Sequence, residues 1–175
     1  ARDVFRKDLL TGEILRCSTG AAGTEGDGGS YWPAISADGR YVAFYSNAPN
    51  LVPDDANRRC DVFRKDLENG DIVRCSTGPG GTEGSGYSYW PSLSADGRYV
   101  AFSSNAPDLL PGGADGSYHV FRKEPPAPAS RPATFYFAEG YTGEGFQEFL
   151  CLGRREATPV LVTVTYLFRD GTSRT

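Results

Sequence analysis

Short apolar segments, separated by polar and glycine-rich stretches, run through residues 1–123. One of them, YVAFYS at 41–46, is almost continuously apolar, which is typical of a strand covered on both faces. Strong helix formers do not run together anywhere, and this favours an all-β chain with many turns. The pattern predicts four strands, at Ser30–Ile35, Arg40–Ser46, Asp61–Asp66 and Asp71–Ser76.

Turn signals separate these predicted strands. The sequence SADG at 36–39 follows the first strand, and a long polar loop at 47–60 follows the second. Asn69-Gly70 joins the last two strands, because both residues tolerate the positive φ of a tight hairpin. The order predicts an antiparallel sheet of four strands.

The whole pattern is repeated along the chain. SYWPAISADGRYVAF at 30–44 returns as SYWPSLSADGRYVAF at 88–102, and DVFRKD occurs at Asp3 and Asp61, with the related HVFRKE at His119. The period is 58 residues, and about two thirds of the first two copies are identical. An isolated four-stranded sheet cannot bury both of its faces, whereas stacked copies can. Four antiparallel strands per period with a long connection are typical of a β-propeller blade.

The segments PSLSADGRYVAFSS and DVFRKDLENGDIVRCST resemble the TolB-type propeller repeat, also called PD40, a relative of WD40. The resemblance extends over residues 3–123 and departs from the family in the long loop at 47–60. It implies a partial β-propeller of four-stranded antiparallel blades, in a class of proteins that usually bind other proteins. One complete blade and parts of two others are present, and closed propellers need about four to eight, so we expect a fragment of a larger propeller.

The composition changes after residue 123. EPPAPASRPA at 124–133 predicts a proline-rich linker, and residues 134–175 carry strand candidates at Thr134–Ala138, Gln147–Leu152 and Pro159–Phe168. FYFAEGYTGEGFQEFLCLG followed by ATPVLVTVTYLFRDG resembles an Ig-like repeat of secreted and wall-associated actinobacterial proteins, with a departure at Arg154-Arg155-Glu156. The expected organisation is propeller blades at 1–123, a linker at 124–133 and an incomplete Ig-like β-sandwich at 134–175.

Charge and hydropathy argue against nucleic acid as a partner and against insertion into a membrane. The net charge of −4 argues against nucleic acid, which binds clustered positive charge. No segment approaches the roughly 18 consecutive apolar residues needed for membrane insertion. The basic pairs at 6–7, 64–65 and 122–123 repeat with the blade, and we expect them to form a solvated sheet edge.

The four cysteines fit neither a zinc site nor a disulfide framework. Cys17 and Cys75 occupy equivalent positions of successive repeats, and the Asn69-Gly70 turn would place Cys60 opposite Pro79. Cys151 belongs to the other predicted domain. We therefore expect free thiols.

The SADG turns are the most regular polar motif of the repeat. Asp38 and Asp96 are expected to bond backbone amides within the turns, and the glycines to supply positive φ. This hypothesis gives a structural role to six residues: Ser36, Asp38, Gly39, Ser94, Asp96 and Gly97.

Two further groups are weighed as ligand sites. Trp32 and Trp90 are expected to pack between blades, and the alternative is a stacking platform for sugar rings. Asp55, Asn57 and Asp61 place oxygen ligands at spacings like those of a calcium loop. A plain surface loop is favoured there, because calcium needs six or more ligands; whether this loop binds calcium is left open.

No catalytic motif is present. The single histidine, His119, occupies a repeat position where the other copies have aspartate, and neither a G-x-S-x-G elbow nor a Walker loop occurs. We expect no catalytic residue, no cofactor and no metal ion.

The favoured hypothesis is a non-catalytic propeller scaffold that binds proteins, exported and displayed outside the cell or at its surface, or in the periplasm of a host with an outer membrane. One alternative is an accessory propeller of a larger hydrolase or peptidase whose catalytic domain lies outside this chain. Another is a surface module that contacts glycans or the cell wall.

Overall fold

The computed structural model describes residues 1–126 and two short segments, Tyr166–Leu167 and Ser173–Arg174. The chain divides into two compact units, Ala1–Ala133 and Thr134–Thr175. In the second unit, Tyr166–Leu167 pairs antiparallel with Ser173–Arg174. Two strands predicted for the Ig-like segment, Thr134–Ala138 and Gln147–Leu152, lie outside the described residues, as does all of Pro159–Phe168 except its residues 166–167.

The described residues of the first unit form three antiparallel sheets that follow one another along the chain. The first sheet has two strands, the second has four in the order β3-β4-β5-β6, and the third has three in the order β7-β8-β9. Their bounds are β1 Phe5–Lys7, β2 Ile14–Arg16, β3 Ser30–Ile35, β4 Tyr41–Ser46, β5 Asp61–Asp66, β6 Ile72–Arg74, β7 Ser88–Leu93, β8 Val100–Ser104 and β9 His119–Lys123. The second unit contributes β10 Tyr166–Leu167 and β11 Ser173–Arg174.

The predicted fold class is confirmed for the described residues. β3 and β5 have the predicted bounds, and β4 and β6 differ from the prediction by one or two residues at their ends. Neighbouring strands of each sheet are antiparallel and consecutive in sequence, which is the arrangement of propeller blades. The first unit is therefore a partial propeller.

The hairpin between β5 and β6 differs from the expected two-residue turn. Phe63 pairs with Arg74, and the amide of Asp66 donates to the carbonyl of Asp71 at 2.8 Å. The loop thus has four residues, 67–70, and only Gly70 of the Asn69-Gly70 pair has positive φ, at 80°. The observed register shifts the residue opposite Cys60 by two positions from Pro79, which a two-residue turn would place there.

The faces of β4 explain its continuous apolar sequence. Val42 and Phe44 belong to one buried cluster, which includes Val4 and Cys17 at the ends of the first sheet's strands, while Ala43 belongs to a second cluster, which includes residues of the third sheet. The buried members of the first cluster are Val4, Cys17, Val42, Phe44, Ala48, Leu51, Phe63 and Ile72. Those of the second are Ala43, Val62, Cys75, Val100, Phe102, Ala106 and Leu109. Stacking of the repeats thus removes both faces of β4 from water.

The basic pair of β5 is buried, so the expected solvated edge is wrong at this position. Arg64 and Lys65 are 5% and 4% exposed. Lys65 Nζ donates to the carbonyls of Thr19 and Gly20, both at 3.0 Å, and to that of Gly70 at 2.7 Å. Since Thr19 and Gly20 precede β3, the lysine connects two successive repeats.

Three cysteines of the described region, Cys17, Cys60 and Cys75, are free thiols. Burial raises the pKa of all three, and that of Cys75 to about 12. Because the thiolate is the reactive form, we expect Cys17 and Cys75 to resist iodoacetamide in the native protein at pH 8 and to react fully in urea. Peptide mass mapping of both samples measures this, and equal labelling of native and unfolded protein would contradict the burial of these thiols.

Candidate functional site

The first SADG motif forms a hydrogen-bonded turn between β3 and β4. Ser36 Oγ donates to Asp38 Oδ1 at 2.5 Å, and the amide of Arg40 donates to the same oxygen at 3.0 Å. Gly39 has φ of 73°. The hydrogen bonds from Ser36 and Arg40 lower the pKa of Asp38, so its carboxylate is held in its charged form within the turn.

The second SADG motif repeats this geometry between β7 and β8. Ser94 Oγ donates to Asp96 Oδ1 at 2.6 Å, the amide of Arg98 donates to that oxygen at 3.0 Å, and Gly97 has φ of 68°. Both turns also accept a hydrogen bond from the preceding sheet: Arg6 Nη1 donates to the carbonyl of Gly39 at 3.5 Å, and Arg64 Nη1 donates to that of Gly97 at 2.9 Å. Both turns therefore also take part in the contact between successive sheets.

The two tryptophans lie on the surface, contrary to the expectation that they pack between blades. Trp32 and Trp90 are 62% and 56% exposed. Each lies where the pairing of its strand with the next one is irregular, and each has φ of 51°, a left-handed backbone that is unusual for a bulky residue. The same strained conformation in both repeats presents an indole ring to solvent.

The tryptophans belong to a continuous row of rings, called here the aromatic strip. Tyr45 links the two repeats, because its ring lies 6.3 Å from that of Trp32 and 5.1 Å from that of Tyr89 in the next sheet. Trp90 lies 5.7 Å from Tyr89. The members of the strip are Tyr31, Trp32, Tyr45, Tyr87, Tyr89, Trp90 and Tyr118. Sequence reasoning singled out the SYW motifs and missed Tyr45, Tyr87 and Tyr118, because the equivalent positions in the other copy carry no aromatic residue.

Arginines cover the strip at two points. The guanidinium of Arg2 lies 5.6 Å from the ring centre of Tyr31, and that of Arg59 lies 4.6 Å from the ring centre of Tyr87. Contacts of this kind fix aromatic rings in place. The strip thus combines exposed indole surface with fixed tyrosines and cationic groups, a composition suited to binding apolar or planar groups of a partner.

A second polar feature lies beside β5 and β6. Oxygens of Asp55, Asp61 and Glu83 all lie within 4.8 Å of one another, and these three residues are called here the acidic cluster. Asp61 is completely buried and the side chain of Asp55 is 2% exposed, so the expectation of a plain surface loop is wrong for both residues. Arg74 Nη1 contacts Glu83 and lies 3.9 Å from each of the two aspartates.

Burial dominates the electrostatics of the acidic cluster. It raises the pKa of Asp61 to about 7, against the opposing effect of a hydrogen bond from Ser76 and the charge of Arg74. Burial also raises the pKa of Asp55. Asn57 supports Asp61 by donating through Nδ2 to its Oδ2 at 3.2 Å and to the carbonyl of Gly84 at 2.7 Å.

Sequence spacing anticipated only part of this cluster. Asp55 and Asn57 lie in the loop after β4 and Asp61 begins β5, whereas Arg74 and Glu83 come from β6 and the following connector. The repeat could have indicated Arg74 and Glu83 as partners, because Arg16 and Glu25 occupy the equivalent positions of the preceding repeat and also form an ion pair. His119, at the position equivalent to Asp61, instead contacts Asp115 at 2.9 Å, and its side chain is 49% exposed.

Among the described residues no helix has the length and apolar character needed to cross a bilayer. No family model and no curated protein matches this chain. The solved structures that resemble it include TolB from Acinetobacter baumannii, with 20% identity and a TM-score of 0.40, and a structure from Agrobacterium tumefaciens assigned to TolB, with 16% identity and a TM-score of 0.40. The matches cover 70% and 71% of this chain and span 24% and 51% of those chains.

Proposed function

We propose that this chain is part of a non-catalytic propeller scaffold that binds another protein through the aromatic strip. The observation that carries the proposal is the exposure of Trp32 and Trp90, which are held at the same strained φ in two successive repeats. Backbone strain of this kind is found where the surrounding structure enforces it, often at ligand-binding sites. Two repeats that share this feature form one continuous surface.

The composition of the strip favours a protein as the partner. Tryptophan, tyrosine and arginine are the residue types that carry most of the energy in protein interfaces. The rings of Tyr31 and Tyr87 are already fixed by arginines, so little side-chain entropy remains to be lost on binding. Exposed tryptophans on such a preordered surface are the natural anchors of an interface.

A non-catalytic role fits the state of the motif carboxylates. Asp38 and Asp96 accept hydrogen bonds inside their own turns, which occupies the groups that a catalytic reaction would need. Export to the cell surface, or to the periplasm of a host with an outer membrane, is part of the proposal and is supported by the motif resemblances of both segments. The accessory role beside a catalytic domain elsewhere in a longer protein is the competing proposal.

A carbohydrate ligand is the second candidate function. The observation in its favour is the large exposed fraction of both indole rings, because sugar rings stack on exposed aromatic faces. The two candidates share the same residues and differ in the class of partner. Binding experiments on the same variants can therefore separate them.

Replacement of both Trp32 and Trp90 with alanine is expected to weaken protein binding at least about thirtyfold, since even one anchor residue contributes about 2 kcal/mol or more and about 1.4 kcal/mol corresponds to tenfold. Positive φ is as unfavourable for alanine as it is for tryptophan, so the backbone strain is the same in the variant and in the unmodified chain. The melting temperature should therefore change little. The chain serves as bait for extracellular proteins, and the partner it captures is then purified and its Kd measured for each variant.

The control is Leu10→Ala, which removes an apolar side chain that is 95% exposed and lies away from the strip. This variant should bind like the unmodified chain. Full binding by the double tryptophan variant would contradict the proposal. Binding to a glycan array that disappears in the double variant, without a protein partner, would instead favour the carbohydrate module.

A further inference from the structure

Asp55 carries a buried carboxylate without a hydrogen-bond donor. Its side chain is 2% exposed, and neither oxygen accepts a hydrogen bond from any residue in the described part of the chain. The nearest positive atom, Arg74 Nη1, lies 3.9 Å away, beyond hydrogen-bond distance. A buried carboxylate in this state is costly unless a further positive group compensates it.

The charges around Asp55 are out of balance. Three carboxylates face one guanidinium, and Arg74 is directed mainly toward Glu83 and toward the carbonyl of Asp54, to which its Nη2 donates at 2.8 Å. When all three acids are ionised, two negative charges lack a counter-charge within the cluster. The site therefore attracts a cation rather than an anion or a neutral ligand.

The geometry of the carboxylates suits a single ion. One oxygen from each member lies within 4.8 Å of the others, so a point exists within about 2.8 Å of all three. Calcium binds oxygen at about 2.3–2.6 Å, and a contraction of a few tenths of an ångström would bring the three oxygens into this range. Glu83 is already oriented, because its carboxylate accepts from the amide of Ala56 at 3.2 and 3.3 Å.

We infer that Asp55, Asp61 and Glu83 bind one hard divalent cation of the calcium class. Carboxylate oxygens are the ligands that such ions prefer, and the cluster offers no thiol or imidazole that would select zinc or copper. Water supplies the remaining ligands, since Asp54 and Ala56 beside the cluster are exposed. The ion connects the loop after β4 with the connector after β6 and displaces the guanidinium of Arg74 toward the carbonyl of Asp54.

Calorimetric titration of the metal-free 175-residue chain with calcium chloride tests the inference. We expect one site with a Kd of about 10⁻⁴–10⁻³ M, the range of calcium sites in extracellular modules, and a rise in melting temperature at 10 mM calcium. Asp55→Asn keeps the shape of the side chain and removes its uncompensated charge. This variant should fold at least as well without calcium, and its affinity for calcium should fall at least tenfold.

Two further variants separate a cation site from a cluster satisfied by arginine. Glu83→Gln should weaken calcium binding at least tenfold, whereas Glu25→Gln, the equivalent change in the preceding repeat, should leave it unchanged. Arg74→Gln should tighten binding, because the competing positive charge is gone. Absence of a calorimetric signal at 10 mM calcium, or the same Kd in Asp55→Asn and Glu83→Gln as in the unmodified chain, would overturn the inference.

Discussion

Replacing Gly97 with alanine is expected to lower the free energy of unfolding by about 3 kcal/mol, which combines backbone strain with overpacking. Gly97 has φ of 68°, a conformation that costs an L-residue about 1 kcal/mol. A Cβ at this position would also lie 2.2 Å from Cδ2 and 3.0 Å from Cβ of Tyr41 in the preceding sheet. Because contacts that close to the Cβ of tyrosine cannot be relieved by rotation of the ring, the sheets would have to move apart.

The chain contains its own control for this prediction. Gly39 occupies the same position of the preceding repeat and has φ of 73°, but a Cβ there would meet no atom within 4 Å. Gly39→Ala should therefore cost only the backbone term of about 1 kcal/mol. Urea unfolding followed by tryptophan fluorescence measures both variants, and equal losses would show that Tyr41 does not restrict Gly97.

Replacing Lys65 with methionine is expected to destabilise the protein by about 3 kcal/mol, because charged hydrogen bonds contribute about 1.5–3 kcal/mol and unsatisfied carbonyls add to the loss. Methionine retains an apolar stem of similar length, so the effect isolates the ammonium group. That group donates to three carbonyls, which come from two successive repeats. Burial lowers the pKa of Lys65, because it takes the ammonium group out of water.

Lys7→Met is the matched control, since Lys7 occupies the equivalent position in β1 and is exposed. A change at an exposed position without such contacts normally alters stability by no more than about 0.5 kcal/mol. Thermal and urea unfolding of both variants gives the comparison. A loss below about 1 kcal/mol for Lys65→Met would mean that water replaces the ammonium group at little cost.

The agreement between predicted and observed strands has a local cause. The bounds of β3 and β5 follow from apolar segments and flanking turns, both of which depend on residues close in sequence. The SADG turns likewise form from hydrogen bonds that span at most five residues. The hairpin after β5 is the exception, because both loop lengths satisfy the same Asn-Gly signal.

The candidate sites were predicted less completely. Sequence reasoning found Trp32, Trp90, Asp55 and Asp61, and it assigned the tryptophans to the interior and the loop to the surface. Burial cannot be obtained from residue type at these positions, because the bulge that turns each indole outward and the connector that brings Glu83 to Asp55 involve other strands. The role of Tyr45 as a bridge between repeats depends in the same way on contact with Tyr89.

The sequence alone determined the period of 58 residues, the strand positions and the turns, since each depends on short-range pattern and backbone preference. The tertiary structure decided which of two identical residues is constrained. Gly97 and Lys65 are identical to Gly39 and Lys7 in type and repeat position. Yet a Cβ at Gly97 would collide with Tyr41 whereas one at Gly39 would meet no atom, and Lys65 bonds carbonyls of the preceding repeat whereas Lys7 is exposed. The physical reason is that packing energy arises from contacts between repeats. The sequence of one repeat does not specify which residues of its neighbours lie against it.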